Sequence, residues 1–199
     1  AFPTQLSYVG DIDICGVRRP ASYYREIVFG LRQKPYIAVQ KPAHYGEILM
    51  KTPWIISDTI ASWTWRGFEG KPVIVEVYAG GTEVELFLND ESLGRKPSGP
   101  NADYRVLFDT VYQPGELRAV IYDGETTLGE EILLTAGKAD RLEISEYWQG
   151  EELIYIALRL ADELGRLVCD SDELVTVEVE GGELLGVHRH TITVIATGG

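Results

Sequence analysis

The chain has 199 residues, 45% of them hydrophobic and 25% charged, which supplies ample apolar material for packed cores and argues against disorder. Its formal net charge of −13, from 31 acidic against 18 basic residues, excludes partners that select clustered cations; a phosphate backbone or an anionic membrane surface would repel it. No apolar run approaches the roughly 20 residues of a membrane-spanning helix, so neither nucleic acid nor membrane is an expected partner.

The start, Ala1-Phe2-Pro3-Thr4, has neither the basic region nor the apolar stretch of a secretion signal. It also lacks an initiator Met, so the chain is expected to begin inside a longer protein. Arg19-Pro20 then opens a helical pattern in which Tyr24, Ile27, Val28 and Leu31 recur on one face. Pro20 suits the first helical position, where its missing N–H costs nothing, and Gly30 is placed to end the helix. One short helix cannot bury its own apolar face and must dock on something.

Residues 34–69 are punctuated by Pro35, Pro42 and Pro53 and read as an extended connector, with one helical turn expected from His44 to Met50. After Gly70 the period changes to two. Val73, Val75 and Val77 alternate with Ile74, Glu76 and Tyr78, and Val84, Leu86 and Leu88 alternate with Glu85 and Phe87. Asn89-Asp90 makes a hairpin turn, and Glu91 to Gly94 returns. Further strands are expected at Val106–Phe108, Glu116–Tyr122 and Leu128–Leu134, with turns at Pro114-Gly115 and Asp123-Gly124. Short strands at this spacing indicate a β-sandwich.

Thr135-Ala136-Gly137-Lys138-Ala139 reads as a hinge. A second β series follows at Arg141–Ser145, Leu153–Ala161, Val175–Val179, Leu184–Val187 and Thr191–Ala196. The expected organisation is a loop and helix over 1–33, the connector over 34–69, and two sandwiches over 70–137 and 138–199.

Few residues suggest chemistry. His188-Arg189-His190 would place two imidazoles on one side of a strand, with Asp170, Asp172 or Glu173 completing a metal site. No third ligand is fixed by spacing, so an exposed loop is the preferred reading and no metal or cofactor is expected. Asp11-x-Asp13 lacks the further oxygen ligands of a calcium loop and reads as a polar turn. Ser57-Asp58 with His44 is no triad, since no strained nucleophile turn surrounds the serine, and His44 reads as a surface or packing residue. Cys15 and Cys169 have no metal-like spacing, and their number suits a reducing cytoplasm.

Trp54, Trp63 and Trp65 stand out. Trp63-Thr64-Trp65 on a strand would present two indoles to a sugar ring. The preferred reading is packing, because aromatic rings carry much of the buried area in cores and interfaces.

Several segments together resemble the C-terminal part of a β-galactosidase-like enzyme of glycoside hydrolase family 2. They are Gly10-Asp11-Ile12-Asp13 with Gly16, Arg19-Pro20, Ser22 to Arg25, Lys34 to Ile37, Trp63-Thr64-Trp65, Gly70 to Val73, Glu83 to Asn89 with Ser92-Leu93-Gly94, Tyr112 to Leu117, and Thr135-Ala136-Gly137. The resemblance implies a mainly β fold, with two Ig-like antiparallel β-sandwich domains preceded by a short helical remnant of a TIM barrel. The partner would be the catalytic barrel of the same parent chain.

A full barrel takes about 250 residues, and the stretch before residue 34 cannot contain it. No catalytic residue of the family maps onto this sequence, so the region is expected to be inactive. The implied parent hydrolyses a terminal β-linked sugar, a galactoside, with retention. After Gly186-Val187 the family has a longer loop, so either a loop is missing near 188–191 or the module is short. Two other readings stay open, a carbohydrate-binding module using Trp63 and Trp65, and a structural Ig-like interaction module.

Overall fold

The structure, a computed structural model, describes residues 10–12, 18–48, 57–150, 154–171, 173–179, 182–183 and 193–196. The chain is mainly β and divides into two compact units, Ala1–Thr135 and Ala136–Gly199. The described residues contain one α-helix, α1 (Pro20–Val28).

In the first unit, strands β1 (Tyr36–Gln40), β2 (Thr59–Ile60), β3 (Pro72–Tyr78), β4 (Glu83–Leu88), β5 (Glu91–Pro97), β6 (Arg105–Val111), β7 (Glu116–Asp123) and β8 (Thr126–Leu134) form two antiparallel sheets. Their orders are β2-β1-β3-β6 and β5-β4-β7-β8, and neither closes into a barrel. The period-two pattern explains the packing. Val73, Val75 and Val77 from one sheet meet Val84 and Leu86 from the other, all fully buried, in a core completed by Phe108, Leu117 and Ile121.

The residues expected to form an extended connector do more than connect. Tyr36–Gln40 is a strand hydrogen-bonded between β2 and β3, so the first sheet draws half its strands from before residue 70. Proline spacing hid it, because the strand lies wholly between Pro35 and Pro42 and loses no ladder donor. The helical turn expected at His44–Met50 lies earlier, as a 3-10 turn at Pro42–His44. Proline there supplies the first helical φ.

Turn chemistry agrees with the sequence. Asn89 and Asp90 have φ of 50° and 65°, the left-handed pair that a two-residue hairpin requires. The Asn89 amide then holds the next turn, accepting from the Glu116 N–H at 2.9 Å and donating to the Pro114 carbonyl at 3.1 Å. A Cβ on Gly115 would stand 1.8 Å from Asn89 Oδ1, which is why glycine occupies that position.

In the second unit, β9 (Arg141–Gln149) pairs antiparallel with β10 (Ile154–Ala161). Strands β11 (Leu174–Val177) and β12 (Thr193–Ala196) pair parallel, whereas an antiparallel arrangement was expected. Periodicity carries no strand direction, and the 178–192 connection is long enough for the crossover that a parallel pair needs, about a dozen residues. The strand expected at Leu184–Val187 lies outside the described residues. The described core here is small, with Ala136, Leu160, Val168 and Val175 buried together.

Asp162 anchors this unit. Its buried carboxylate accepts from the N–H groups of Gly137, Leu164 and Arg166 and from the Arg166 guanidinium, at 2.7–3.0 Å. Burial alone would raise its pKa, but the Gly137 and Arg166 N–H groups and the Arg166 charge outweigh it and hold the carboxyl at about 2. An acid whose folded pKa lies below its ordinary value of 3.8 adds stability above that value and loses it as pH falls toward 2. Unfolding of the second unit, followed between pH 5 and 2 by the amide resonances of Gly137 and Arg166, is therefore expected to become easier across this window. In Asp162→Asn that part of the pH dependence should vanish.

Candidate functional site: the helix-docking face of the first sheet

The second face of the first sheet is covered as well as its core face. Alternation along β3 sends Ile74, Glu76 and Tyr78 to this side, with Tyr36 and Ala38 of β1 beside them. Helix α1 lies here. Ile27 is buried against Ala38 and Tyr78, with Tyr24, Tyr36 and Tyr104 around it. Burying one isoleucine contributes about 1.5–3 kcal/mol, enough to matter for a nine-residue helix that is marginal alone.

Aromatic rings set the geometry. Tyr23 stacks on Tyr36 with centroids 4.2 Å apart, Tyr36 stacks on Tyr78 at 6.0 Å, and Tyr24 meets Tyr78 edge-on at 5.4 Å. The Arg18 guanidinium covers the Tyr23 ring at 4.1 Å, and Tyr24 donates to the Asp103 carbonyl at 3.0 Å. Burial pushes the Tyr36 and Tyr78 hydroxyls well above the ordinary phenol value, reinforced by Tyr23 and Glu76 respectively. Both stay neutral, which leaves the Tyr78 hydroxyl its proton to donate to Glu76.

Beneath the stack lies Glu76, fully buried. Arg105 donates to its Oε1 at 2.7 Å, Gln40 to the same oxygen at 3.0 Å, and Tyr78 to Oε2 at 3.1 Å. The carboxylate thus fixes the Tyr78 ring on which α1 rests. Before and after the helix in sequence the pattern reverses. Ile12, Phe29 and Leu31 are 55%, 74% and 76% exposed. Leu31, expected on the buried helical face, lies past the last turn, which Gly30 ends at φ 70°.

The residues singled out in the sequence lie elsewhere. Trp63 is 1% exposed, donates from Nε1 to the Gln113 carbonyl at 3.0 Å and meets Tyr112 edge-on at 5.0 Å. Its ring is enclosed in the core, and residues 61–65 are not a strand. Trp65 is half-buried against the same core, and its Nε1 has no hydrogen-bond partner among the described residues.

His44 is brought to Asp58, Nδ1 to Oδ2 at 2.7 Å, and Lys41 joins the carboxylate at 3.1 Å. Burial works against the Asp58 charge, but His44 and Lys41 together hold its pKa below the ordinary value. Ser57 donates instead to Thr59, so the pair has no nucleophile. Trp54, Asp13, Asp172, His188 and His190 lie outside the described residues. Among the described residues no three His, Cys, Asp or Glu side chains form a metal-holding group, and no helix is long and apolar enough to cross a membrane.

Sequence reasoning missed Glu76, Tyr78 and Arg105. The available signal was Ile74 and Tyr78 flanking Glu76 on the non-core side of β3, apolar material that a solvated face would not need.

Two antiparallel sheets around one core, with tyrosines holding a lone helix, make the first unit a β-rich module. Residues 70–128 match the family described as Domain of unknown function (DUF4982). A β-galactosidase of Bacteroides ovatus is 23% identical over 94% of this chain and 20% of its own length. Two structures of glycosyl hydrolase family 2 members from Bacteroides cellulosilyticus superpose with TM-scores of 0.68 and 0.66. They are 30% and 32% identical, over 80% and 79% of this chain and 22% of theirs. This chain is homologous to part of the family 2 glycosidases, and it spans about a fifth of the length of the relatives it matches.

Proposed function

We propose that the chain is the non-catalytic C-terminal accessory region of a larger family 2 glycoside hydrolase. In this reading α1 and the loop before it are the closing piece of the catalytic TIM barrel, and the two units are the Ig-like sandwiches that follow it. The parent is a retaining β-galactosidase acting on terminal β-linked sugars. One observation carries the reading: α1 is held on the sheet by Ile27 and four tyrosines, while Ile12, Phe29 and Leu31 present apolar surface on the same segment. A helix gripped on one side and apolar at its end fits an element shared between a sandwich and a larger neighbouring domain.

The purified chain is expected to release no nitrophenol from 4-nitrophenyl β-galactoside, and turnover would place a catalytic pair inside it. Tryptophan fluorescence titrated with galactosides and β-glucans is expected to stay flat. A saturable change lost in Trp65→Ala but not in Trp63→Phe would favour a carbohydrate-binding module instead.

A further inference from the structure

Left-handed backbone marks one place in the first unit where local preference is overridden. Among the described residues four non-glycine residues have positive φ. Asn89 and Asp90 form a hairpin turn. Asp103 and Tyr104, at φ 50° and 56°, instead follow the 3-10 turn at Gly99–Ala102, on the long connection between β5 and β6. Aspartate tolerates this conformation, but a bulky aromatic residue adopts it only at a cost in free energy. Such strain persists where the surrounding bonds over-determine it, and it gathers at sites that bind something.

The corner around Tyr104 is fixed without any bond from α1. Ser98 donates from its backbone to the Thr82 carbonyl at 2.9 Å and from Oγ to the Gly81 carbonyl at 2.7 Å. The Gly99 N–H reaches the Ala79 carbonyl at 3.1 Å, the Tyr104 N–H the Gly99 carbonyl at 2.8 Å, and the Ala79 N–H the Tyr104 carbonyl at 3.1 Å. A Cβ on Gly99 would stand 2.6 Å from the Gly81 oxygen, so the two loops touch backbone to backbone. What the corner presents is complementary to the helix. Gly80 leaves its floor bare, where a Cβ would lie 3.8 Å from Ile27 Cγ2. The half-buried Tyr104 packs against the cluster of Ile27, Ala38 and Tyr78. The Asp103 carbonyl, just ahead of β6, accepts from the Tyr24 hydroxyl at 3.0 Å. Glycine or asparagine would take the Tyr104 backbone with less strain, but neither would supply the ring.

We propose that this corner is a preformed receptor for an amphipathic helix, and that Asp103 and Tyr104 select the helix it takes. The occupant is α1, recognised by a tyrosine hydroxyl and, three residues on, an isoleucine: Tyr24 and Ile27 share one helix face. The site treats α1 as a ligand, so the same sequence supplied from outside the chain also binds it. This holds whatever covers the other side of the helix, and so does not depend on the helix belonging to a barrel.

Fluorescence anisotropy of a labelled peptide with the sequence Arg18 to Leu31, titrated with the full chain at high salt, tests this. Ile27→Asp in the chain puts a carboxylate into the buried contact and undocks its own helix. Ile27 lies outside the core between the two sheets, so the sandwich remains folded, which circular dichroism checks; Ile27→Ser serves if it does not. The peptide is expected to bind the Ile27→Asp chain saturably, and wild type at least about tenfold more weakly, because the tethered α1 competes at high effective concentration. A Tyr24→Phe peptide should bind about fivefold more weakly, having lost one hydrogen bond. Adding Tyr104→Asn to the Ile27→Asp chain keeps the left-handed backbone, removes the ring and should weaken binding at least about fivefold. Both changes conserve charge, so attraction of a cationic peptide to an acidic chain cannot produce either effect. Absence of saturable binding to a folded Ile27→Asp or Ile27→Ser chain overturns the proposal. So does equal binding by wild type, or binding that Tyr24→Phe and Tyr104→Asn leave unchanged.

Discussion

Replacing Arg105 with methionine is expected to destabilise the first unit by about 3 kcal/mol, because it leaves Glu76 charged, buried and short of its cation. The figure sits at the lower end of the range for a broken buried pair for two reasons. Arg105 keeps 18% of its side chain exposed, so part of its own desolvation cost was never incurred. Gln40 and Tyr78 also still donate to the carboxylate. The double variant Glu76→Leu/Arg105→Met should recover most of the loss, since removing both charges removes the desolvation cost with the attraction. Denaturant midpoints of the two singles and the double measure the coupling directly. A double variant as unstable as the sum of the singles would mean that the ion pair is not what Arg105 contributes.

Trp63→Ala is expected to cost about 3–5 kcal/mol, the range for deleting a buried tryptophan side chain. The loss combines the cavity, the edge contact with Tyr112 and the bond to the Gln113 carbonyl. Trp63→Phe should cost less, because it keeps an apolar ring and forfeits mainly the N–H. Trp65→Ala should also cost less, since that ring is only partly buried. Equilibrium unfolding of the three variants decides between a core tryptophan and a surface platform. A platform residue would leave stability within about 0.5 kcal/mol of wild type.

Much of the first unit was legible because its strands alternate cleanly. Val73, Val75, Val77, Val84 and Leu86 could be assigned to one core from period two alone, and all five are fully buried. Pro20 and the glycine at 30 bracketed the helix to within two residues. Three features were hidden. Strand β1 sits between prolines, and its partner β3 begins more than thirty residues after it starts, too distant for local pattern to link them. The direction of β11 against β12 leaves no trace in hydropathy. The docking face was obscured because Glu76 reads as an outward polar residue on an alternating strand. It is buried by partners that come from β1 and β6, which no local window joins to it. For Trp63-Thr64-Trp65 the preferred reading, packing, agrees with the buried Trp63. A two-residue spacing predicts a shared face only on a strand, and the segment is not one.

In the proposed reading α1 and its flank are an interface, held on one side by the sandwich and on the other by the rest of a glycosidase. Hydrogen exchange of the backbone amides of Phe29, Gly30 and Leu31, compared between this 199-residue chain and the longer polypeptide proposed to contain it, tests that reading most directly. Fast exchange in the isolated chain and strong protection in the longer polypeptide are the expected result. Equal exchange in both would contradict the account, because the apolar end of the helix would then have no neighbour to cover it.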